Sequence, residues 1–438
     1  MRSLQIFIYE WKHFTRSPFK IVALILFIVA SMYGLHNGAD LYEKQNNEFE
    51  RLTQETETEI KTTLSYFENG KKGPDERPWV DNTQPFWAIY NAPTYAFKTP
   101  SPTIVYAIGQ TEQYGFYKRI NTWSNPYDAD MTQEISNPER IQSGTLDFSF
   151  SILFLLPLLL LVLLYNIKGK EEEQGFLPLI FVQTGSKNWW IVSRTAFYTL
   201  LLLLVLVGVM VYGATLTNVF KANADSFWSI LIYVTIYLLF WVIIYFLILK
   251  YSKSTVSNTL LMIGVWLLFA FIIPATIQQW IAIEKPTNLM VDLIDVKRDK
   301  TSEINEQSKA LINRQMFELY PKLKETKTFK DTTIVRKRGG YSTNALVTIE
   351  MKNATKSIEE DNNAKNKLVE TTYWINPITF FQNKLNKLTN THYEDYESYR
   401  NAIQKSVDER TKIMVFDIWN DVTVDKEKYL EYNKTFSK

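Results

Sequence analysis

The chain has 438 residues, no Cys, three His, 48 basic and 46 acidic side chains, and a mean hydropathy of −0.14. The missing Cys excludes disulfides and thiolate metal sites, and His13, His36 and His392 are too scattered to suggest a His-based metal site or catalytic base. Intermixed charges of both signs argue against a nucleic-acid partner, and the average hydropathy conceals nearly uncharged runs alternating with two long charged regions, as in an integral membrane protein.

In chain order, residues 1–20 place Leu4, Phe7, Ile8, Trp11 and Phe14 at helical spacing among Arg2, Lys12, Arg16 and Lys20. This predicts an amphipathic helix that ends near Pro18 and lies either in the membrane interface or against protein. Phe19 to Leu35 is the first expected span, with cations only at its N-terminal end, so the N-terminus is expected to be cytoplasmic. Asp40 to Phe67 then reads as a helix stopped by Asn69-Gly70. From Pro74 to Pro138, Pro, Trp, Tyr, Asn and Gly predict irregular, aromatic-packed structure. Trp79, Trp87, Tyr90 and Tyr95 are candidates for a ligand-facing patch there, or for a small core or a membrane-interface belt.

Span two is expected over Phe148–Asn166, kinked at Pro157. A polar knot, KGKEEEQG, follows and leads into FLPLIFVQTGSKNWW. Spans three, four and five are expected over Thr195–Ala214, Phe227–Leu249 and Val256–Ile277, with Lys250 and Lys253 marking an inner turn. No later apolar run approaches the ~20 residues a span needs. The remainder reads as pieces of helix. One stripe runs from Leu289 through Leu293, Val296, Ile304, Leu311 and Phe317 to a stop at Pro321. A weaker helix covers Ser342 to Thr371, and another opens at a Thr391/Glu394 capping box. Gly339-Gly340 in RKRGGYS reads as a turn, and no phosphate-binding G-x-x-x-x-G-K-[ST] or nucleophile G-x-S-x-G motif is present. Spans two to five contain no ionisable interior residue, which disfavours an ion-coupled transporter.

The run EEEQGFLPLIFVQTGS resembles the cytoplasmic coupling segment of ABC-2-type transporter permeases, in which acidic residues and a Gly precede an apolar stretch and a turn. Glu171, Glu173, Gly175, Leu177, Leu179, Gln183 and Ser186 fall on that pattern, while Phe176 and Thr184 replace its usual Thr and Pro. PTIVYAIGQTEQYGFYK, NPERIQSGTLDFSFSILFLLPL and WINPITFFQNKLNKL are similar to a subfamily of uncharacterised permeases with a large extracytoplasmic domain.

The expected fold is therefore a membrane, all-α protein. It is a polytopic bundle of about five transmembrane helices with a mainly helical extracytoplasmic domain built from two chain segments. Residues 1–36 supply the interfacial helix and first span, and 37–148 the first outer segment. Residues 149–283 supply spans two to five with the coupling loop 168–194, and 284–438 the second outer segment. The resemblance implies a non-catalytic permease subunit in the cytoplasmic membrane, with N-terminus inside and C-terminus outside. It would work as a homodimer or with a related permease, among membrane lipid. It would bind no cofactor itself, since ATP belongs to a cytoplasmic ABC ATPase docked at Glu171, Glu173, Gly175, Leu177, Leu179 and Ile180. A membrane-anchored assembly protein that passes ATPase motion outward without moving cargo is the alternative.

Overall fold

The structure, a computed structural model, describes residues 2–136, 146–184, 187–252, 254–285, 289–329 and 335–436. Ser186, Lys253 and residues 137–145, all used in the sequence reading, lie outside them.

Four helices are long and apolar enough to cross a bilayer: α2 (Pro18–Glu68), α8 (Lys187–Leu216), α9 (Val219–Tyr251) and α10 (Thr255–Glu284). The expected second span is a shorter helix, α5 (Phe148–Leu164). It crosses between the same levels as its neighbours, as three contacts show. At one end Lys20 Nζ donates to the Leu163 carbonyl and the Tyr198 hydroxyl. At the other, Gly34 packs on the backbone of Asp147–Phe148, and Gly213 on Leu35. Lys20–Leu35, Leu163–Phe148 and Tyr198–Gly213 thus each advance 15 residues, about 22 Å of helix. Almost every side chain of α5 is buried, so protein rather than lipid surrounds it and its shortness leaves no backbone facing hydrocarbon.

Close approach at the far end rests on a G-x-x-x-G pair in α2. A Cβ on Gly34 would lie 2.5 Å from the Phe148 nitrogen, and one on Gly38 would lie 2.8 Å from Val105 Cα. The expected break between span one and the outer helix is absent. α2 runs unbroken for 51 residues to Glu68, where Asn69 and a left-handed Gly70 (φ 65°) stop it. Proline shapes two other helices in the same way. A π turn, Ser151–Leu155, lies just before Pro157, and another, Leu268–Ile272, just before Pro274. Pro157 has no N–H for the Leu153 carbonyl, which instead accepts the Tyr237 hydroxyl at 2.6 Å.

The N-terminal amphipathic helix α1 (Arg2–Thr15) packs on α8 through Phe7, Trp11 and Phe14, which meet the rings of Phe197 and Tyr198. Ile8, Tyr9 and Trp11 remain exposed on its other side.

The two polar segments fold together into one body at the end of the bundle away from α1. The first contributes the outer half of α2, α3 (Pro85–Tyr90), an antiparallel pair β1 (Tyr95–Phe97) and β2 (Tyr117–Arg119), and α4 (Asp128–Ser136). The second contributes α11 (Leu289–Glu306), α12 (Lys309–Leu319), α13 (Val335–Thr371), α14 (Pro377–Leu388), α15 (Tyr393–Trp419) and α16 (Lys426–Phe436). Two buried arginines of α15 join them. Arg400 pairs with Asp130 at 3.0 Å, its guanidinium over the rings of Tyr114 and Tyr127. Arg410 donates to the Ile89 and Ala92 carbonyls and stacks on Phe436. α14 drives Ile378, Phe381 and Leu385 into the bundle core, where Phe381 lies 4.7 Å from Tyr237.

Three local expectations are corrected. Gly339-Gly340 lies inside α13 rather than in a turn, because the helix is held by the packing of Ala345, Leu346, Met351 and Ile358 and tolerates the weak pair in its first turns. The stripe from Leu289 to Phe317 is two helices, divided where Ser308 caps α12. The cap of α15 is His392 with Asp395, one residue beyond the expected Thr391/Glu394 pair. Thr391 is instead tied back to Asn386 and Thr389, and its carbonyl accepts the Gln110 N–H.

That cap titrates. His392 Nδ1 accepts the Glu394 N–H at 3.3 Å, which requires an unprotonated nitrogen. Burial, aided by Lys387, holds the imidazole below its ordinary value of 6.5. A depressed folded-state pKa gives stability that is complete above 6.5 and is lost as pH falls below it. The melting temperature of the detergent-solubilised protein should therefore drop between pH 7.5 and 5.5. His392→Asn, which keeps an acceptor, should flatten that drop, whereas His392→Ala should cost about 1 kcal/mol at pH 7.5. An unchanged pH slope in His392→Asn would contradict this account of the cap.

Candidate functional site

The end of the bundle opposite the polar body is closed by the segment that joins α5 to α8. Its polar knot forms a short helix, α6 (Gly169–Glu173), pressed against the start of α10. Only glycine fits at 169, since a Cβ there would lie 2.4 Å from the Thr255 nitrogen. Gly175, in the left-handed region at φ 74°, then reverses the chain into α7 (Leu177–Thr184).

The acidic residues of the knot are turned inward. Glu171 Oε1 accepts from Arg194 Nη1 at 2.5 Å, and the same nitrogen donates to the Ile167 carbonyl at the end of α5. The Nε of Arg194 pairs with Glu10 of α1, again at 2.5 Å, and its guanidinium stacks on Trp190. One buried arginine thus holds α1, α5 and α6 onto α8. Lys168 adds a bond to the Ser252 carbonyl and an ion pair with Glu172 at 3.2 Å. Glu173 accepts the Thr255 N–H at 2.7 Å, capping α10 with the favourable sign for a helix N-terminus. Lys20 sits one layer deeper, bonded to the Leu163 carbonyl, Asn166 and Tyr198.

The six residues singled out in sequence therefore divide. Glu171 and Glu173 are engaged within the chain, and Gly175 makes the turn. Leu177 is buried in the bundle core and Ile180 is half-buried against it. Leu179 faces outward at 60% exposure, and its outward neighbours are Phe176 and Val182, the latter 83% exposed. Phe176, Leu179 and Val182 recur every three residues, so they share one face of α7, while Leu177 and Ile180 fasten the other. A helix anchored on one side and apolar on its free side is a protein-docking element in form.

Sequence reasoning missed Glu10 and Arg194. A signal existed, because Glu10 is the only acidic residue before Asp40 and stands in an otherwise basic helix. Its value depends on α1 meeting α8, which no local pattern states.

Comparison with family models, with curated proteins and with solved structures returned no match.

Removing Arg194 would strand two carboxylates, a change that typically costs about 3–5 kcal/mol. Arg194→Met should lower the unfolding midpoint in detergent sharply and expose the Thr15–Pro18 junction to protease. Adding Glu10→Gln and Glu171→Gln to it should recover most of the loss. If the single and triple variants melt alike, the cluster does not hold α1 and α6 as described.

Proposed function

We propose that this chain is the membrane-spanning permease subunit of an ABC-2-type exporter, coupling a separate cytoplasmic ATPase to outward movement of cargo. The observation that carries the reading is α7, with Phe176, Leu179 and Val182 presented at the end of the bundle remote from the polar body. Apolar anchors dominate contacts of this kind, and charges at the rim mainly orient them. Here the charges have a different task, since Glu171 and Glu173 lock the segment to α8 and α10. A push on α7 is thereby passed to helices that run the length of the bundle.

In this reading α1, α6 and α7 lie on the cytoplasmic side of the cytoplasmic membrane. The polar body and the C-terminus lie outside. The chain binds no nucleotide, in keeping with the absence of phosphate-binding motifs, and acts as a dimer with itself or a related permease. A second reading, transmission of ATPase motion to the outer body without cargo, is favoured by one observation. The central helix α5 is packed on almost all sides, and α14 fills the bundle's outer end.

The test is co-purification with the ATPase that accompanies the wild-type chain from its native membrane. Leu179→Asp and Val182→Asp should each reduce the recovered ATPase about tenfold or more, one apolar anchor being worth about 1–3 kcal/mol. Both residues are exposed, so membrane insertion and melting should be unchanged. Glu173→Ala should leave docking intact. Gly175→Val should preserve insertion but reduce stimulated hydrolysis, because a β-branched residue resists the left-handed turn. Full docking by both aspartate variants would remove the support for this function.

A further inference from the structure

We propose that the polar body carries a saccharide-binding cleft that prefers an anionic glycan. The proposal does not depend on the ATPase reading. Between the outer end of α2, the 74–80 loop, α3 and β2 lies an open cavity of about 540 Å³, within the size range of small-ligand sites. Three of the four aromatic residues singled out in sequence, Trp79, Trp87 and Tyr90, line it, together with Glu59, Arg77 and Arg119. The fourth, Tyr95, lines a neighbouring cavity.

The aromatic wall is held in place before any ligand arrives. Trp87 packs edge-on against Tyr90 at 5.9 Å and against Phe86 at 5.1 Å. The C-terminal end of α3, which carries these rings, is fixed from below by Arg410 through the Ile89 and Ala92 carbonyls. That arginine is buried and bonded to backbone, so its part in this body is to hold α3. On the opposite wall Trp79 is 64% exposed, while the next residue, Val80, is buried with its carbonyl tight against Gly73. A tryptophan held open to solvent by an anchored loop has the form of a ligand platform.

Charge selects among ligands that stack on aromatic faces. A quaternary ammonium would suit three rings, but Arg77 and Arg119 oppose a cation. Glu59 is engaged with Arg119 in a bidentate pair at 2.8 and 3.0 Å, which leaves the lining with a formal charge of +1. The planar C–H face of a pyranose lies flat on an indole, its hydroxyls reach the Glu59–Arg119 pair, and a carboxylate or sulfate on the sugar meets Arg77. An acidic peptide lacks the flat apolar face for Trp79 and serves as the competing outcome.

The experiment is calorimetric titration of the full chain in detergent with four probes. These are a tetrasaccharide of alternating glucuronate and N-acetylglucosamine, its sulfated form, the uncharged N-acetylglucosamine tetramer, and a hexa-aspartate peptide. The two anionic saccharides should bind, and the uncharged tetramer should bind about tenfold more weakly. Trp79→Ala should weaken every saccharide about tenfold with no change in melting temperature, since its ring is exposed. Arg77→Ala should erase the preference for the anionic sugars, while Trp374→Ala, at another exposed tryptophan, should change nothing. The proposal is overturned if no saccharide binds, if the peptide binds and the saccharides do not, or if Trp79→Ala binds like wild type. It is also overturned if Arg77→Ala keeps the preference.

Discussion

The loop end of this protein depends on one buried guanidinium. Arg194 bonds at once to Glu10, to Glu171 and to the carbonyl that ends α5, so α1, α5 and α6 are all referred to α8. A charge placed there without partners would not be tolerated, and each carboxylate would be as costly without the arginine. Joint dependence of this kind favours one arrangement of four elements over looser alternatives. It also separates two tasks that the sequence superimposes on one segment, with acidic residues turned inward to fix position and apolar residues turned outward to meet something else.

A second constraint comes from hydrocarbon, where every backbone group needs a partner. The short helix α5 meets it by being sheathed in protein, and the carbonyl freed by Pro157 is taken by Tyr237. The Phe154 carbonyl, in the same π turn, accepts Trp266 Nε1 at 3.2 Å, so the irregular turns of α5 and α10 are joined at one level of the bundle. No apolar run for a sixth span exists after residue 283. Instead α14, an amphipathic helix of the polar body, sinks its apolar face between α9 and the π turns. Outer body and bundle are thereby one packed unit rather than a domain on a tether.

Much of this was legible from periodicity and composition. The apolar runs locate the bundle helices because nothing else in such a chain is uncharged for so long, and Asn69-Gly70 marks the end of α2 because a left-handed glycine stops a helix locally. What failed depended on contacts distant in sequence. Gly34 and Gly38 read as breakers of a helix, yet they serve as contact points for the 105 and 147–148 backbones, so the helix continues. Gly339-Gly340 fails for the same reason, with tertiary packing overriding a local preference. The acidic knot announced itself by composition, but which way Glu171 and Glu173 point is set by Arg194 and Thr255, at sequence separations of 23 and 82. The aromatic cluster was visible as candidates, and only the fold shows that Trp79, Trp87 and Tyr90 converge while Tyr95 turns elsewhere.

The central claim is that α7 and the polar body lie on opposite faces of a membrane. A chain with no cysteine allows a direct measurement. Single cysteines at Val182 and at Glu76, both exposed, are labelled in cells with a membrane-impermeant maleimide, before and after the inner membrane is opened. The account predicts that Glu76→Cys reacts while that membrane is intact and Val182→Cys only once it is opened. Labelling of both positions from the same side would contradict it.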